Sequence, residues 1–597
     1  MVSTKVLLEP RAQACFEECH GVVLRDMNRG SVIFLVTLLV FGVTLNAVWA
    51  TDHTASFLDL DYATWANHTF ALGSVGQFIP NSVDVFQYRG QYYSALAPGL
   101  ALLAFPFVVP GFIVEGHFSE YGTVMLSSEL FVAVLNALAA LYLYKLSRMY
   151  FREATATFIA LAYAFSTVSW PFATFFFQSD VSAAFDVIAV YSVLRATRGS
   201  GGSVTILVGG LSVAAAMTVD YVNFLLMPVL LVYIIVSLRK DYGLLAKGAA
   251  EFALCSFFGV LAIGLYNYAS FGQVLVSSEQ LYLHSPSVLG EFSTPLYLGM
   301  VLNLFTPLRG IFLYSPVLLA GVFGFRKMVG APAVRREGLL LLTVFTALFL
   351  PYCAWYGPTG GLSFGPRFIV ASLPFLLLPA GYVIESGWRY RGPVVYILYS
   401  AGVVINGLAA LTSALAGNTG WLTSPFLDST VTLLAHGTLD QWWAGVIGRF
   451  WPLATGTVIA AALLLPDILG RASGQGPDAR WFHTLFRPRT QAQGPCPTQL
   501  SNRRANPNQA QSPILGRLRR MTRPGHGANP NEAKTRMSTR SLQSISMKIR
   551  LDLQSTKLSD WRKWTGGVHP TSQMESNPPL FENTTDCTKP SRWNISC

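Results

Sequence analysis

The sequence predicts an all-α polytopic membrane protein with about 12 transmembrane helices. Of its 597 residues, 52% are hydrophobic and 12% are charged, and the mean hydropathy is +0.42, far from the balance of a soluble domain. Apolar runs long enough to cross a bilayer as helices recur between residues 31 and 470. The loops between these runs also differ in their lysine and arginine content, as expected when alternate loops face opposite sides of a membrane.

The first element is expected to be a retained anchor. A polar segment, residues 1–30, precedes the apolar run 31–50, and that run lacks the small-residue cleavage site of a signal peptide. We therefore interpret residues 1–30 as a cytoplasmic N-terminal segment and 31–50 as the first transmembrane helix.

The second element, residues 51–125, is a long first extracytoplasmic loop with interfacial helices. It is rich in aromatic residues, and Arg89 is its only lysine or arginine. Four aspartates lie in it, namely Asp52, Asp59, Asp61 and Asp84. A loop that merely turns the chain needs none of these, so we expect this one to offer acid–base chemistry at the membrane surface.

The count of spans depends on residues 95–115, which are apolar but contain three prolines. If this segment crosses the bilayer, the cations after the next helix (Lys145, Arg148 and Arg152) fall outside. If it is a broken interfacial or re-entrant segment, they fall inside, and every later loop then obeys the positive-inside rule. We adopt the second interpretation.

That interpretation places fourteen lysines and arginines in inner loops and four in outer loops. The outer four are Arg89, Arg309, Arg367 and Arg449. Such a bias predicts a multi-pass protein of the cell membrane with both termini in the cytoplasm.

A basic tail follows the membrane domain, which we bound at residues 31–470. Residues 470–597 contain 20 Lys or Arg and 7 Asp or Glu, are rich in Pro, Asn, Ser and Gln, and show no sustained apolar periodicity. We expect 471–597 to be a disordered cytoplasmic tail. We prefer the interpretation that the tail is simply solvated, and contact with anionic lipid is the second interpretation. No nucleic acid is expected as a partner, because no binding module is visible.

Motifs for nucleotide hydrolysis and zinc proteolysis are missing from the sequence, which argues against those functions. Polar residues instead gather on the predicted outer side. Asp180 and Asp220 start spans there, and a helix-capping role is as good an explanation for them as a functional one. Asp186 lies deeper in its span, as a buried site residue or the partner of a helix neighbour.

Arg309 and Arg367 stand in Pro/Gly-rich segments, TPLRG and GPR. A guanidinium binds phosphate through two parallel hydrogen bonds, and glycine lets a ligand approach the backbone. The alternative is a headgroup-level anchor or a surface ion pair. With the aspartates, these arginines suit a donor whose phosphate lies at the outer interface and whose lipid tail stays in the bilayer.

The acceptor or sugar would occupy a pocket containing Asp84, Tyr92, Tyr93 and Asp180. Tyrosine rings can stack on sugar faces. They are equally common in the aromatic belts of membrane proteins, so the aromatic content alone does not decide the function.

Four segments resemble one known family: an acidic residue soon after the first span; GQYYSALAPGLALLAFP, similar to an interfacial helix with a Tyr/Lys-Pro-Pro pattern; QSDVSAAF, similar to an Asp-Pro turn; and FGPRFIVASLPFLLLPAG, similar to a Pro-Arg-Tyr span. Their order resembles the GT-C superfamily of polytopic glycosyltransferases that use polyprenyl-phosphate-linked sugars. The branch of protein O-mannosyltransferases and lipid A aminoarabinose transferases, family 39-type, is the most similar. The resemblance covers roughly residues 31–390.

The resemblance implies a GT-C-like fold with a catalytic aspartate just beyond the first span. By position this is Asp52, with Asp59 and Asp61 as rivals. Asp59 and Asp61 also form a DxD pattern, which can bind a divalent metal; no cofactor is otherwise implied. Where related enzymes often carry a phosphate-contacting lysine, this chain has Ala97.

Because this chain has Ala97 in place of that lysine, the positive charge that contacts the donor phosphate would come from Arg367, Arg309 or Arg89. Otherwise the donor differs or the protein is inactive. The leading hypothesis is an inverting glycosyltransferase that moves a sugar from a polyprenyl phosphate to an extracytoplasmic glycan, lipid or protein. The alternative is a 12-span secondary transporter or lipid flippase, which the outer position of most ionisable residues disfavours. A catalytically inactive scaffold of the same fold is a third alternative.

Overall fold

A computed structural model describes residues 28–46, 51–73, 83–115, 122–199, 201–285, 287–361, 363–386, 391–412, 423–436 and 451–471. These residues are predominantly helical, which confirms the all-α membrane fold. Most of the predicted cytoplasmic N-terminal segment, the predicted tail and Arg449 lie outside the described residues.

The first half of the described chain contains ten helices of varying length. They are α1 (Arg29–Val43), α2 (Asp52–Asn67), α3 (Gly99–Glu115), α4 (Thr123–Ser147), α5 (Glu153–Ser166), α6 (Ser169–Phe172), α7 (Gln178–Thr197), α8 (Ser203–Val219), α9 (Leu226–Leu238) and α10 (Tyr242–Phe271). Between α2 and α3 lie two strands, β1 (Val85–Tyr88) and β2 (Gln91–Ser94).

The second half adds ten further helices and several tighter turns. The helices are α11 (Ser278–Tyr282), α12 (Leu296–Phe305), α13 (Ile311–Tyr314), α14 (Leu318–Gly330), α15 (Arg335–Ala354), α16 (Leu373–Leu377), α17 (Ala380–Ile384), α18 (Arg391–Ala410), α19 (Thr432–Ala435) and α20 (Trp451–Arg471). The 3₁₀ turns are Tyr221–Leu225, Val288–Glu291 and Arg367–Ser372, and Phe426–Val431 forms a π-helical turn.

Within the described residues, six helices are long and apolar enough to cross a membrane. They are Thr123–Ser147, Tyr221–Leu238, Tyr242–Phe271, Arg335–Ala354, Gly392–Ala410 and Pro452–Leu469. Shorter apolar helices, among them α1, α3 and α8, accompany them. A polytopic membrane protein follows from these lengths; the count of about 12 spans and the orientation of the termini stay predictions.

The helices that meet the first loop share one end of the bundle. Helices α1 and α4 run antiparallel, because Gly30 at the start of α1 packs on Leu141 near the end of α4. The chain just beyond α1 bonds to the segment before α7, since the Asn46 amide donates to the Thr174 carbonyl at 3.2 Å. The end of α1 and the starts of α4 and α7 therefore lie together, and we call this the first-loop end.

Helix α3 departs from the expected broken segment, because it continues through Pro106 and Pro110. The end of α8 also lies at the first-loop end, because the Asn223 side chain just beyond it donates to the Ser182 hydroxyl near the start of α7. Both extremities of α3 nevertheless reach this end. A side chain at Gly99 would collide with the backbone of Thr218, at the end of α8, and one at Gly111 with the backbone of Val124, at the start of α4. A helix held in this way packs on the end of α8 and on the start of α4, and its interfacial orientation stays a prediction.

Local sequence explains α2 and the hairpin beside it. The Thr51 hydroxyl accepts a hydrogen bond from the Thr54 amide at 3.0 Å and caps the start of α2. Strands β1 and β2 pair antiparallel, from Val85 opposite Ser94 to Tyr88 opposite Gln91. Arg89 and Gly90 make the two-residue turn, both with positive φ (48° and 80°), which matches the twist of a tight hairpin.

Candidate functional site

Five side chains from different parts of the chain meet at the first-loop end, and we call them the polar cluster. They are Asp52 and His53 of α2, Asp84 before β1, Gln178 at the start of α7, and Arg367 of the 3₁₀ turn. The His53 ring links two of them. Its Nδ1 lies 3.2 Å from Asp84 Oδ2 and its Nε2 lies 2.6 Å from Gln178 Oε1.

The backbone of Asp84 is fixed by both neighbouring elements. The Ser56 hydroxyl of α2 donates to the Asp84 carbonyl at 3.0 Å and lies 2.7 Å from the Ser94 hydroxyl of β2. The Ala95 amide donates to the same carbonyl at 2.9 Å. The hairpin and α2 therefore hold the Asp84 carboxylate against His53.

The two carboxylates of the cluster differ in basicity. Burial and the negative charge of Asp84 raise the pKa of Asp52 above its ordinary value. For Asp84, burial also acts to raise the pKa, but the His53 hydrogen bond and the charges of His53 and Arg367 outweigh it and lower the pKa. Asp52 is therefore the stronger base of the pair, and Asp84 the carboxylate that stays ionised more readily.

Arg367 lies between two aromatic rings and keeps part of its donor capacity unused. Its guanidinium carbon is 4.8 Å from the ring centroid of Phe368 and 5.6 Å from that of Phe177. The Nε atom is buried and has no hydrogen-bond partner among the described residues, while the residue as a whole is partly accessible. A guanidinium in this state suits an anionic ligand.

Glu279 is a site residue that our sequence interpretation missed. It lies on α11, is partly accessible, and interacts electrostatically with Glu291, Asp220 and Asp84. Burial and these like charges raise its pKa well above the ordinary value. The signal in the sequence was its place as the only acidic residue of segment 266–285, which is predicted to lie on the outer side. His53 and Gln178 had no comparable signal, because only the fold brings them together.

The other two first-loop aspartates do not join the cluster. Asp59 and Asp61 are 2% and 0% exposed. Both oxygens of Asp61 have no hydrogen-bond partner within the described part of the chain, and burial raises its pKa well above the ordinary value. Residues two apart on a helix do not face each other, so the DxD pattern does not form a two-carboxylate pair. Among the described residues no group of three His, Cys, Asp or Glu could hold a metal ion.

Arg309 is placed quite differently from Arg367, being 1% exposed. Its guanidinium donates only to backbone carbonyls in the described structure, those of Leu308, Thr359, Gly361 and Ser363. Arg89 is exposed at the hairpin turn, with its guanidinium carbon 5.1 Å from the ring centroid of Tyr88. Of the three predicted phosphate-binding arginines, only Arg367 is a member of the polar cluster.

The residues predicted for the acceptor pocket are also divided. Asp84 lies in the cluster. Asp180 is 0% exposed and accepts a hydrogen bond from the Ser169 hydroxyl at 2.9 Å, in a buried network that includes Asn136. Tyr92 is half-buried on β2, and Tyr93 packs on Phe271 at 5.2 Å between ring centroids.

Asp220 caps the 3₁₀ turn after α8, because its Oδ1 accepts from the Val222 amide at 3.2 Å. Its other oxygen accepts from the Tyr352 hydroxyl. Asp186 is 0% exposed, within α7. The capping role that the sequence allowed for Asp220 is thus present in the structure.

The fold and this cluster define a polytopic helical membrane protein with carboxylates and an arginine gathered at one end. Residues 106–262 match the family described as dolichyl-phosphate-mannose-protein mannosyltransferase. This match, to a family of glycosyltransferases, confirms the resemblance to GT-C enzymes that the sequence suggested. A comparison with curated proteins found no match.

Three solved structures of glycosyltransferases match the chain at low identity. ArnT from Cupriavidus metallidurans, bound to undecaprenyl phosphate, is 15% identical with a TM-score of 0.46, covering 74% of this chain and 77% of that one. The archaeal oligosaccharyltransferase AglB from Archaeoglobus fulgidus, in complex with an inhibitory peptide and a dolichol-phosphate, is 14% identical with a TM-score of 0.43, covering 76% and 57%. The arabinosyltransferase EmbB from Mycobacterium smegmatis is 12% identical with a TM-score of 0.36, covering 79% and 42%.

Proposed function

We propose that the protein is an inverting glycosyltransferase that moves a sugar from a polyprenyl-phosphate-linked donor to an extracytoplasmic acceptor. The observation that carries this proposal is the meeting of Arg367 with Asp84 and Asp52 at the first-loop end. A cation that can hold a phosphate thereby stands beside a carboxylate that can accept a proton. The matched family, described by a dolichyl-phosphate-linked sugar, is consistent with this class of donor.

Arg367 would bind the donor phosphate. A guanidinium presents its N–H groups in a rigid fork that matches two phosphate oxygens, and a phosphate would supply the partner that Nε lacks among the described residues. The position where related enzymes often place a lysine is Ala97, which is 5% exposed and offers no charge. Arg367 takes over that function in this proposal.

Asp52 would act as the general base. Its raised pKa makes its carboxylate a better proton acceptor than that of Asp84, and it is partly accessible at the start of α2. The acceptor hydroxyl oxygen attacks the anomeric carbon while Asp52 takes the hydroxyl proton. The bond from that carbon to the phosphate oxygen breaks, and the oxygen leaves with the bonding electrons. One displacement inverts the configuration at the anomeric carbon.

The remaining groups would support this step. The charge of Arg367 offsets the negative charge that grows on the leaving phosphate. His53 holds Asp84 in place, and the ionised Asp84 in turn keeps the pKa of Asp52 high. Gln178 fixes the opposite side of the His53 ring. The start of α2 is thus connected to both the hairpin and α7.

The proposal is tested by transfer with defined donors. The purified protein is reconstituted in liposomes and incubated with a panel of synthetic undecaprenyl- and dolichyl-phosphate hexoses and pentoses. Extracted membrane glycans, lipids and proteins are added as acceptors. We expect time-dependent transfer of the labelled sugar with inversion at the anomeric carbon, and its loss in Asp52→Asn. Retention of configuration, or transfer by Asp52→Asn at the wild-type rate, contradicts the mechanism. Substrate accumulation driven by an ion gradient, with no transfer, replaces it with the transporter hypothesis.

A further inference from the structure

The segment that leads into Arg367 is wrapped around Arg309. We call residues 357–366 the glycine loop; Leu362 lies outside the described residues. Three of the four carbonyls that accept from the Arg309 guanidinium belong to this loop, and they come from alternate residues: Thr359, Gly361 and Ser363. Each of the three guanidinium nitrogens donates to one of them. A single buried side chain is therefore bonded to the loop at three alternate residues.

This arrangement uses the property that distinguishes arginine from lysine. A guanidinium has five N–H donors in a fixed plane, whereas an ammonium group cannot hold three spaced carbonyls in one geometry. Since Arg309 is 1% exposed, its donors serve the protein and not a ligand. Without them, three backbone carbonyls of the loop would lose their partners, and that of the buried Ser363 could not turn to water instead, which is costly enough to change the conformation of the loop.

The loop conformation in turn confines Arg367. Gly360 has φ of +66°, and a Cβ there would lie 3.3 Å from Arg367 Cγ and 3.4 Å from its Nε. The Ser363 hydroxyl donates to the Gly360 carbonyl at 3.2 Å, so the part of the loop held by Arg309 also holds Gly360. The Gly360 backbone thus forms one wall beside the Arg367 side chain.

We propose that Arg309 is a positioning residue, which sets the glycine loop and through it the orientation of Arg367 toward a phosphate ligand. The role of the phosphate rests on the function proposed above; the effect of Arg309 on the loop does not. Arg309 contributes to donor binding without touching the donor. From the sequence, both arginines were candidates for phosphate binding. In this proposal Arg309 positions the loop, and Arg367 contacts the phosphate.

The loop is tested first, without any ligand. Arg309→Lys in nanodiscs should accelerate amide hydrogen exchange in peptides covering 357–366 about tenfold, because loosened segments exchange from a lower opening free energy. Exchange in 123–147 should stay unchanged. Arg335→Lys is the matched control, since within the described residues Arg335 donates to one backbone carbonyl, that of Val329, at 2.9 Å. Wild-type exchange of the loop in Arg309→Lys overturns the proposal.

The coupling to Arg367 is tested with undecaprenyl phosphate as the probe. Arg309→Lys and Arg367→Lys should each raise the Kd in nanodiscs, and the double variant should bind no more weakly than Arg367→Lys alone, because residues that act through one another are not additive. Fully additive losses overturn the positioning role, since they indicate a separate structural defect. If the wild type fails to bind undecaprenyl phosphate, the proposed function is contradicted. The hydrogen-exchange measurement on the glycine loop then decides the role of Arg309 by itself.

Discussion

The polar cluster and the buried residues outside it contain the same kinds of side chain in two different states. In the cluster, Asp52 and Arg367 are partly accessible and belong to one network. Outside the cluster, Asp61 on α2 and Arg309 before α13 are only 0% and 1% exposed. Residue type therefore does not identify the site in this chain; accessibility and the use of donors and acceptors do.

The largest expected effect separates the two aspartates of α2. Asp52→Asn should lower kcat/KM for sugar transfer by about 100- to 10,000-fold, the usual range for loss of a general base. Asp61→Asn is the matched control on the same helix and should leave transfer close to wild type. The measurement is initial rate with a fixed lipid-linked donor in liposomes. Equal losses of activity in both variants would show that any change in α2 impairs transfer, and would contradict a specific role of Asp52 as the base.

The next effect separates the two arginines by the kind of loss. Arg367→Met should lower kcat/KM by about 100- to 1,000-fold, because a charge that stabilises the leaving phosphate is removed. Arg367→Lys keeps the charge without the fork and should retain part of the activity. Arg309→Lys should lower the affinity for the donor, and it should reduce kcat less than Arg367→Met does. Initial rates across donor concentrations give the KM and kcat of each variant, and a purely kcat-based loss in Arg309→Lys speaks against its positioning role.

A pH measurement sharpens the contrast between Asp52 and Asp84. Asp52 must be ionised to accept a proton, so activity falls as the pH drops through its pKa, which lies above the ordinary 3.8. Asp84→Asn removes one of the two causes of that elevation. The acid limb of kcat/KM should therefore move to lower pH, though only in part, because burial is the larger cause.

Glu385→Gln is the control for that shift. Glu385 accepts a hydrogen bond from the Arg152 amide at 2.8 Å and belongs to no part of the cluster. Its removal should leave the acid limb where it is. A limb that moves upward in Asp84→Asn would mean that Asp84 lowers, not raises, the pKa of the catalytic group.

The smallest expected effect is on stability. Asp61 has a raised pKa when folded, so between the unfolded and folded pKa values the folded protein binds more protons and its stability falls as the pH rises. Asp61→Leu should raise the free energy of unfolding by about 1–3 kcal/mol, the cost of a buried unsatisfied group. The gain in Tm over wild type should grow with pH in detergent, and a gain independent of pH would assign it to packing.

The class of fold could be predicted from the sequence because a helix that spans a bilayer requires a continuous run of apolar residues. A run of apolar residues long enough to span is visible without knowing its neighbours. The interfacial placement of α3 stays a prediction from the positive-inside rule, and its prolines suggested a break that the helix does not have. Packing against Thr218 and Val124 is compatible with a continuous helix there.

The site was harder, because it depends on which side of a helix faces which neighbour. Asp52, Asp59 and Asp61 are equivalent by residue type and differ only in what α2 packs against. His53 and Gln178 are 125 residues apart and meet only in the folded chain. Glu279 had a weak sequence signal, its isolation in an outer segment, which we did not use.

The continuous course of α3 through two prolines has a consequence for where the helix rests. A proline has no N–H, so the carbonyls four residues earlier, those of Leu102 and Pro106, receive no helical hydrogen bond from Pro106 and Pro110. In hydrocarbon such groups are expensive, whereas at the headgroup level water can solvate them. The two prolines thus favour a position of α3 at the level of the lipid headgroups over one in the hydrocarbon, in line with the interfacial placement that the sequence predicts.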